Sequence, residues 1–278
     1  MLFLGDRSRF LYFVTAVLFH SPALSFYLPL SMRVVISRGG FCGFAGKWIM
    51  SHVSRNETPD WRRRVFSSSS TSAGGHDSFV KRVLSLTGDP LEQDGGKIVV
   101  FRGNPAARLM MIGEAPGAEE DKLGKPFVGR SGKLLDEIMR AVGLDPQLDV
   151  YISNIVRRRP PNNRTPTPEE LEFYLPMLLE EICLVDPDII VTLGASSTKA
   201  LLPNETRGIT KMRGRWVPHD ELLKIHDGVL HGRMIMPWFH PSYLIRNAGE
   251  RSKQEGGVRW LTREDLREVK RALEALDA

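Results

Sequence analysis

Four short apolar runs constrain this chain more than any other feature: "RLMMIGE" (residues 108–114), "VYISNIV" (150–156), "DIIVTLG" (188–194) and "RMIMPWFHP" (233–241). Each has the length of a strand, and stretches of helical period separate them. "SGKLLDEIMRAVGL" reads as a helix that ends at Gly143. "TPEELEFYLPMLLEEICLV" opens with Thr167 as N-cap, Pro168 in the first turn and Glu169 and Glu170 behind it, so a helix is expected to about Leu184. Pro176 is expected to kink or break that helix, because proline removes a backbone donor and crowds the preceding turn. A further helix is expected from Ala195, and "TREDLREVKRALEAL" closes the chain as an amphipathic helix. Ahead of all these, "HDSFVKRVLSL" reads as a short helix and "KIVVF" (residues 97–101) as another strand. Strands alternating with helices predict an α/β fold, a parallel sheet covered on both faces.

Parallel strands deliver their carboxyl ends to one edge, where open α/β sheets hold ligands. Glu114 follows the first core strand, Asn154 lies in the second, Gly194 and Ala195 end the third, and His240 ends the fourth. These positions are expected to converge although 126 residues separate Glu114 from His240. Alone, an Asn in a strand satisfies a neighbouring loop and a His before Pro caps a turn. Together, with Phe127 in the loop that begins at Glu114, they read as a site. In that loop, "GEAPGAEEDKLGKPFVGR", the acids Glu119, Glu120 and Asp121 read as a solvated turn. Arg157, Arg158, Arg159 and Arg164, interleaved with Pro160, Pro161 and Asn162, form a basic loop beside Asn154 and are expected to contact phosphate.

Charge is unevenly spread. Residues 1–73 carry nine Lys/Arg against three acids, whereas the rest of the chain has 29 basic and 30 acidic residues. The high pI therefore belongs to the N-terminal segment, and nucleic-acid contact has to come from a local patch. That segment is rich in Arg and Ser and ends in "RRRVFSSSSTSA", the composition of an organellar transit peptide. Residues 1–73 are thus read as a targeting segment for mitochondrion or chloroplast, and 74–278 as the folded domain that carries the site. The apolar run at residues 10–30 contains Pro22 and Pro29, which weakens it as a membrane span, and no stable membrane partner is expected. A start at Met32 would omit that run and leave a basic amphipathic leader. Two cysteines, Cys42 and Cys183, make neither a disulfide framework nor a metal cluster.

At this point a resemblance emerges. "GEAPGAEEDKLGKPFVGRSGKLLDEI", "VYISNIVRRRPPNNRTPTPEE", "DIIVTLGA" and "FHPSYLIRN" resemble the family-four uracil-DNA glycosylases, in order and at the expected intervals, over roughly residues 97–276. The resemblance implies a three-layer α/β/α sandwich around a central parallel sheet. It also implies a monomer whose partner is DNA containing uracil, with the target nucleotide flipped into a fitted pocket. Phe127 would stack on the flipped pyrimidine. The Asn154 carboxamide would pair with uracil N3–H and O4; cytosine reverses both groups and leaves the amide unmatched. A donor from His240 to uracil O2 would stabilise the departing base, and Glu114 would orient or activate the attacking water. Gly113, Ala115, Pro116 and Gly117 would line the pocket, partly through backbone N–H groups. "SYLIRN" resembles the minor-groove loop of the superfamily, bringing Ser242, Leu244 and Arg246 to DNA with Leu244 or Arg246 as the wedge. Lys122, Lys125 and Lys133 hold no position that the family uses for catalysis, so a monofunctional enzyme without a Schiff base is expected.

One departure stands out. Family-four enzymes carry a four-cysteine iron–sulfur cluster, with two ligands before the first core strand, one in the "RRRPP" loop and one early in the next helix. This chain has no cysteine between Cys42 and Cys183; Arg158 stands at the loop position and Tyr174 or a neighbour at the helix position. No such cluster, and no other metal or cofactor, is expected. Cys183 reads as a small core residue, and extra packing or basic contacts are expected to tie the loops down. Two other readings stay open: a non-catalytic nucleic-acid-binding relative, and a hydrolase of the same fold for another damaged base.

Overall fold

The computed structural model describes residues 73–222 and 225–276. Its middle layer is a five-stranded sheet of β1 (Phe101–Gly103), β2 (Leu109–Gly113), β3 (Val150–Asn154), β4 (Ile189–Leu193) and β5 (Met234–Trp238), in the order β1-β3-β2-β4-β5. The four strands β2 to β5 run parallel, and β1 is antiparallel to β3. The wholly parallel sheet expected from the sequence is therefore a mixed one with an antiparallel edge. Every residue of β2, β3 and β4 is buried. That explains why these runs are continuously apolar rather than alternating. Of "KIVVF", only Phe101 enters β1. The Val99 N–H donates to the Arg157 carbonyl at 2.8 Å, while the Val100 carbonyl accepts from the Arg157 side chain at 3.1 Å and lies 3.0 Å from Ser153 Oγ. One backbone bond and the surrounding side chains, not a regular ladder, hold residues 99–100. At the opposite edge, β5 tolerates Pro237, as an edge strand can.

The helices are α1 (Ala73–Leu84), α2 (Ala118–Leu123), α3 (Arg130–Ala141), α4 (Pro168–Val185), α5 (Ala195–Leu201), α6 (Ile209–Met212), α7 (His219–Leu222), α8 (Pro241–Arg246) and α9 (Val258–Leu276). Alternate strand residues face opposite cores. Met110, Ile112, Tyr151 and Ile190 pack with Met177, Leu178 and Ile182 of α4. Met111, Val150, Ile152 and Val191 pack with Leu135 and Met139 of α3 and with Leu266 and Val269 of α9. Helices thus cover both faces of the sheet, giving three layers.

Helix α4 runs unbroken through Pro176, contrary to expectation. Its start is fixed by a capping box in which Thr167 Oγ1 accepts from the Glu170 N–H at 3.2 Å and Glu170 accepts from the Thr167 N–H at 2.8 Å. An interior proline costs about 3 kcal/mol, whereas each fully buried aliphatic side chain contributes about 1.5–3 kcal/mol. Met177, Leu178 and Ile182, each at most 1% exposed, outweigh it. Helix α3 ends where its glycine predicts, with Gly143 at φ +77°.

The targeting segment expected over residues 1–73 lies outside the described residues but for Ala73, the first residue of α1. Among the described residues no helix is long and apolar enough to cross a membrane. From β2 the chain moves to β3 on one side, then across to β4 on the other, so strand order reverses at β2. The crevice beyond the carboxyl ends at such a reversal is where ligands of open sheets bind.

Candidate active site

Asn154 is the last residue of β3 and only 1% exposed, yet neither its Nδ2 nor its Oδ1 has a hydrogen-bond partner. Leaving a buried polar group unmatched costs about 1–3 kcal/mol, so such groups are rare and call for a reason. Opposite Asn154 in register stands Gly113, the last residue of β2. A Cβ at Gly113 would lie 2.5 Å from Phe127 Cζ and would also run into Asn154 Oδ1. Glycine alone lets the ring and the amide meet at this edge. Phe127 is 5% exposed and sits at φ +53°, a left-handed conformation that a bulky residue adopts only at a cost of about 1–3 kcal/mol. Its ring centroid lies 5.9 Å from that of His240. His240 follows β5 closely, and Gly194 at the end of β4, at φ +101°, leaves it room: a Cβ there would stand 3.0 Å from His240 Cβ. Glu114 is half-buried next to Gly113, its backbone fixed by the Val156 N–H, which donates to its carbonyl at 3.0 Å. Of the turn that follows, Ala115 is half-buried, Pro116 is buried, and Gly117 is the N-cap of α2.

His240 is the N-cap of α8. Its Nδ1 accepts from the Ser242 N–H at 3.1 Å and lies 2.7 Å from Ser242 Oγ. With that lone pair engaged, the neutral ring carries its proton on Nε2. Burial, reinforced by the Arg246 guanidinium nearby, pushes the imidazole pKa down to about 4, with Glu120 pulling the other way. At neutral pH the ring is therefore an uncharged Nε2–H donor.

The unmatched Asn154 carboxamide, the Phe127 ring and the neutral His240 imidazole gather at one sheet edge, with Glu114 next to Gly113 on the same edge. The sequence model of the Uracil DNA glycosylase superfamily matches residues 100–264. The chain belongs to this superfamily. It is similar to a Type-4 uracil-DNA glycosylase of Thermotoga maritima, with 43% identity over 68% of this chain and 90% of the relative. It is similar also to one of Pyrobaculum aerophilum, at 37% identity over 59% of this chain and 81% of the relative. A Type-5 uracil-DNA glycosylase of Thermus thermophilus matches at 34% identity over 36% of this chain and 52% of the relative.

Several superfamily positions depart from their expected roles. Arg157, expected on DNA, is 0% exposed: it donates to Glu181 at 2.6 Å, to the Val100 carbonyl and to Ser153 Oγ. Glu181 lies on the buried stripe of α4, and an unpaired charge there would cost several kcal/mol. An acid between Leu178 and Ile182 on that stripe was the signal that a buried cation must exist. Arg158 is also turned inward, donating to Asp89 at 2.8 Å and to the Gly96 and Leu86 carbonyls. The Tyr174 hydroxyl donates to the same Asp89 carboxylate. Leu244, one of two wedge candidates, is 0% exposed because α8 turns it into the core against α3. It does not protrude from the surface in this structure. Arg159 bonds the Asn163 side chain, Arg164 is half-exposed but paired with Glu170 at 2.6 Å, and Arg246 remains exposed beside Ser242.

The residues around Asp89 do not fit the iron–sulfur cluster of the family. By the resemblance, Arg158 stands at the loop ligand position and Tyr174 or a neighbour at the helix one, and the one cysteine among the described residues, Cys183, lies half-buried on α4. Among those residues no group of three His, Cys, Asp or Glu could hold a metal ion. Of the acids of the first loop, Glu119 is exposed as expected, but Glu120 and Asp121 are engaged by the protein. Asp121 caps the Lys97 N–H at 2.6 Å, and Glu120 is 7% exposed, its Oε1 accepting from the Val128 and Gly129 N–H groups at 2.9 and 2.8 Å. No local pattern exposes Glu120, because its donors arrive eight and nine residues later.

Proposed function

We propose that this chain is a monofunctional DNA-repair glycosylase, acting as a monomer on uracil in DNA. The observation that carries the reading is the buried, unmatched Asn154 amide beside Phe127 and His240. An amide without a protein partner is complementary to a ligand that presents one donor and one acceptor side by side, as uracil does with N3–H and O4. Phe127 stacks on the flipped base. Glu114 orients a water and takes its proton as the water oxygen bonds to C1′. The C1′–N1 bond breaks, and its electron pair leaves on uracil, where His240 Nε2–H donates to O2. A neutral donor suffices, since the anion needs a fixed dipole rather than a proton.

Ser242 and Arg246 on α8, with Arg159 and Arg164, contact the DNA backbone, and Arg246 is the remaining wedge. The Arg- and Ser-rich residues 1–73 direct the protein to mitochondrion or chloroplast; appending them to a fluorescent protein and finding it outside both organelles would remove that reading. The enzymatic reading is tested by single-turnover excision from uracil-containing oligonucleotides. Glu114→Gln and His240→Ala each lower the rate by roughly 10²–10³-fold. DNA affinity barely changes, because phosphate contacts dominate it. Parent protein that binds such DNA but releases no uracil would point to a non-catalytic relative.

A further inference from the structure

Phe127 does not hold its conformation unaided. The peptide groups on its two sides are gripped by buried charges of opposite sign. On the carbonyl side, Arg102 of β1, 7% exposed, donates from Nε to the Pro126 carbonyl at 2.9 Å and is itself anchored by Asp136 of α3 at 2.5 Å. On the N–H side, Glu120 of α2 takes the Val128 and Gly129 N–H groups on a single oxygen. The carboxylate sits in a slot made by glycines: a Cβ at Gly117 would stand 2.7 Å from Oε2, and one at Gly129 3.2 Å from Oε1. Beneath, the lack of a side chain at Gly132 lets the Phe127 carbonyl rest on α3. The cation meets the carbonyl and the anion meets the amides, so each peptide dipole is favourably oriented.

We propose that Glu120, opposed by Arg102, is a positioning residue that holds Phe127 left-handed with its ring at the Asn154 amide. This rests on the reading above, in which Phe127 stacks on the flipped base. A stacking group that must be correctly placed when the base arrives gains from being fixed beforehand. Glu120 itself touches no substrate. Its charge is matched by the two amides and by its place at the amino end of α3, which favours an anion.

The test compares Glu120→Ala with Glu120→Gln, in the parent and in a Phe127→Ala background. Glu120→Ala lowers single-turnover uracil excision roughly tenfold by loosening the geometry. Glu120→Gln keeps an oxygen at the same place for both amides and stays within about threefold of the parent. If Glu120 acts through Phe127, then removing it after Phe127→Ala adds less than about twofold, the signature of coupled residues. Amide hydrogen exchange at Val128 and Gly129 accelerates in Glu120→Ala and not in Glu120→Gln. This last readout needs no catalysis, so loss of the clamp can be told apart from failure of the glycosylase reading. An equal loss of rate in both backgrounds makes Glu120 a purely structural residue and overturns the proposal. So does exchange at these amides that the alanine variant leaves unchanged.

Discussion

Ser153 and Asn154 are neighbours at the end of β3, both at most 1% exposed, and they face opposite sides of the sheet. On the Ser153 side the polar groups answer one another, with only Arg157 Nε left over. Ser153 Oγ donates to the Glu181 carboxylate, the same carboxylate accepts from Arg157 and from the Tyr151 hydroxyl at 2.7 Å, and His76 Nε2 lies 3.0 Å from that hydroxyl. On the Asn154 side the amide has no answer at all. One residue along the chain separates a closed network from an open one. The difference teaches how to tell polar groups that maintain the fold from polar groups kept ready for a ligand: the first are matched within the protein, the second are buried and left unmatched.

The largest expected effect comes from the open side. Asn154→Ala removes the recognition amide and is expected to lower uracil excision by roughly 10³-fold, as loss of a preorganised polar contact does. The melting temperature should hold or rise, since an unmatched buried group goes with it. A variant that melts early while cutting normally would reverse the assignment of the two sides. Next comes Glu181→Ala, which strands Arg157 in the core and should destabilise by about 3 kcal/mol in urea unfolding. Excision by the remaining folded protein should be untouched. Asp89→Ala, which deprives Arg158 and Tyr174 of their common partner, should cost about 2 kcal/mol; an unchanged unfolding midpoint would show that the clamp carries nothing.

A smaller effect is a matter of pH. The folded pKa of His240 lies at about 4, below its ordinary 6.5. Protonation is therefore opposed in the folded state. This group's contribution to stability is complete above pH 6.5, declines as the pH falls below that, and is gone at about 4. Nitrogen NMR of the ring should show a midpoint near 4; one near 6.5 would mean that the ring is solvated. Smallest of all, replacing the buried pair together, Arg157→Met with Glu181→Leu, should leave stability within about 1 kcal/mol of the parent, because neither charge is then left alone.

The four parallel strands were legible because each is covered on both faces and must be continuously apolar. Parallel direction alone puts Glu114, Asn154 and His240 at one edge of the sheet. What could not be read were charges whose partners lie far along the chain. Arg157 and Arg158 looked like a DNA-facing run because Glu181 and Asp89 stand 24 and 69 residues away. Glu120 looked solvated because an acid beside two other acids gives no hint of amides folding back onto it. Leu244 resembled a protruding tip, but six residues from Pro241 wind into α8, and winding turns every third or fourth residue inward. The edge strand was expected a few residues early: of "KIVVF" only Phe101 lies in β1, which continues to Gly103 against β3.

The grip of Arg158 and Tyr174 on Asp89 also changes what this protein needs from its surroundings. A thiolate cluster has to be assembled by other proteins from iron and sulfide, and oxidants dismantle it. A guanidinium, a phenol and a carboxylate come with the chain itself. The loops of residues 86–96 and 158–164 and the first half of α4 are joined through this one carboxylate and the groups around it. The contacts that join these loops therefore call on neither iron nor sulfide.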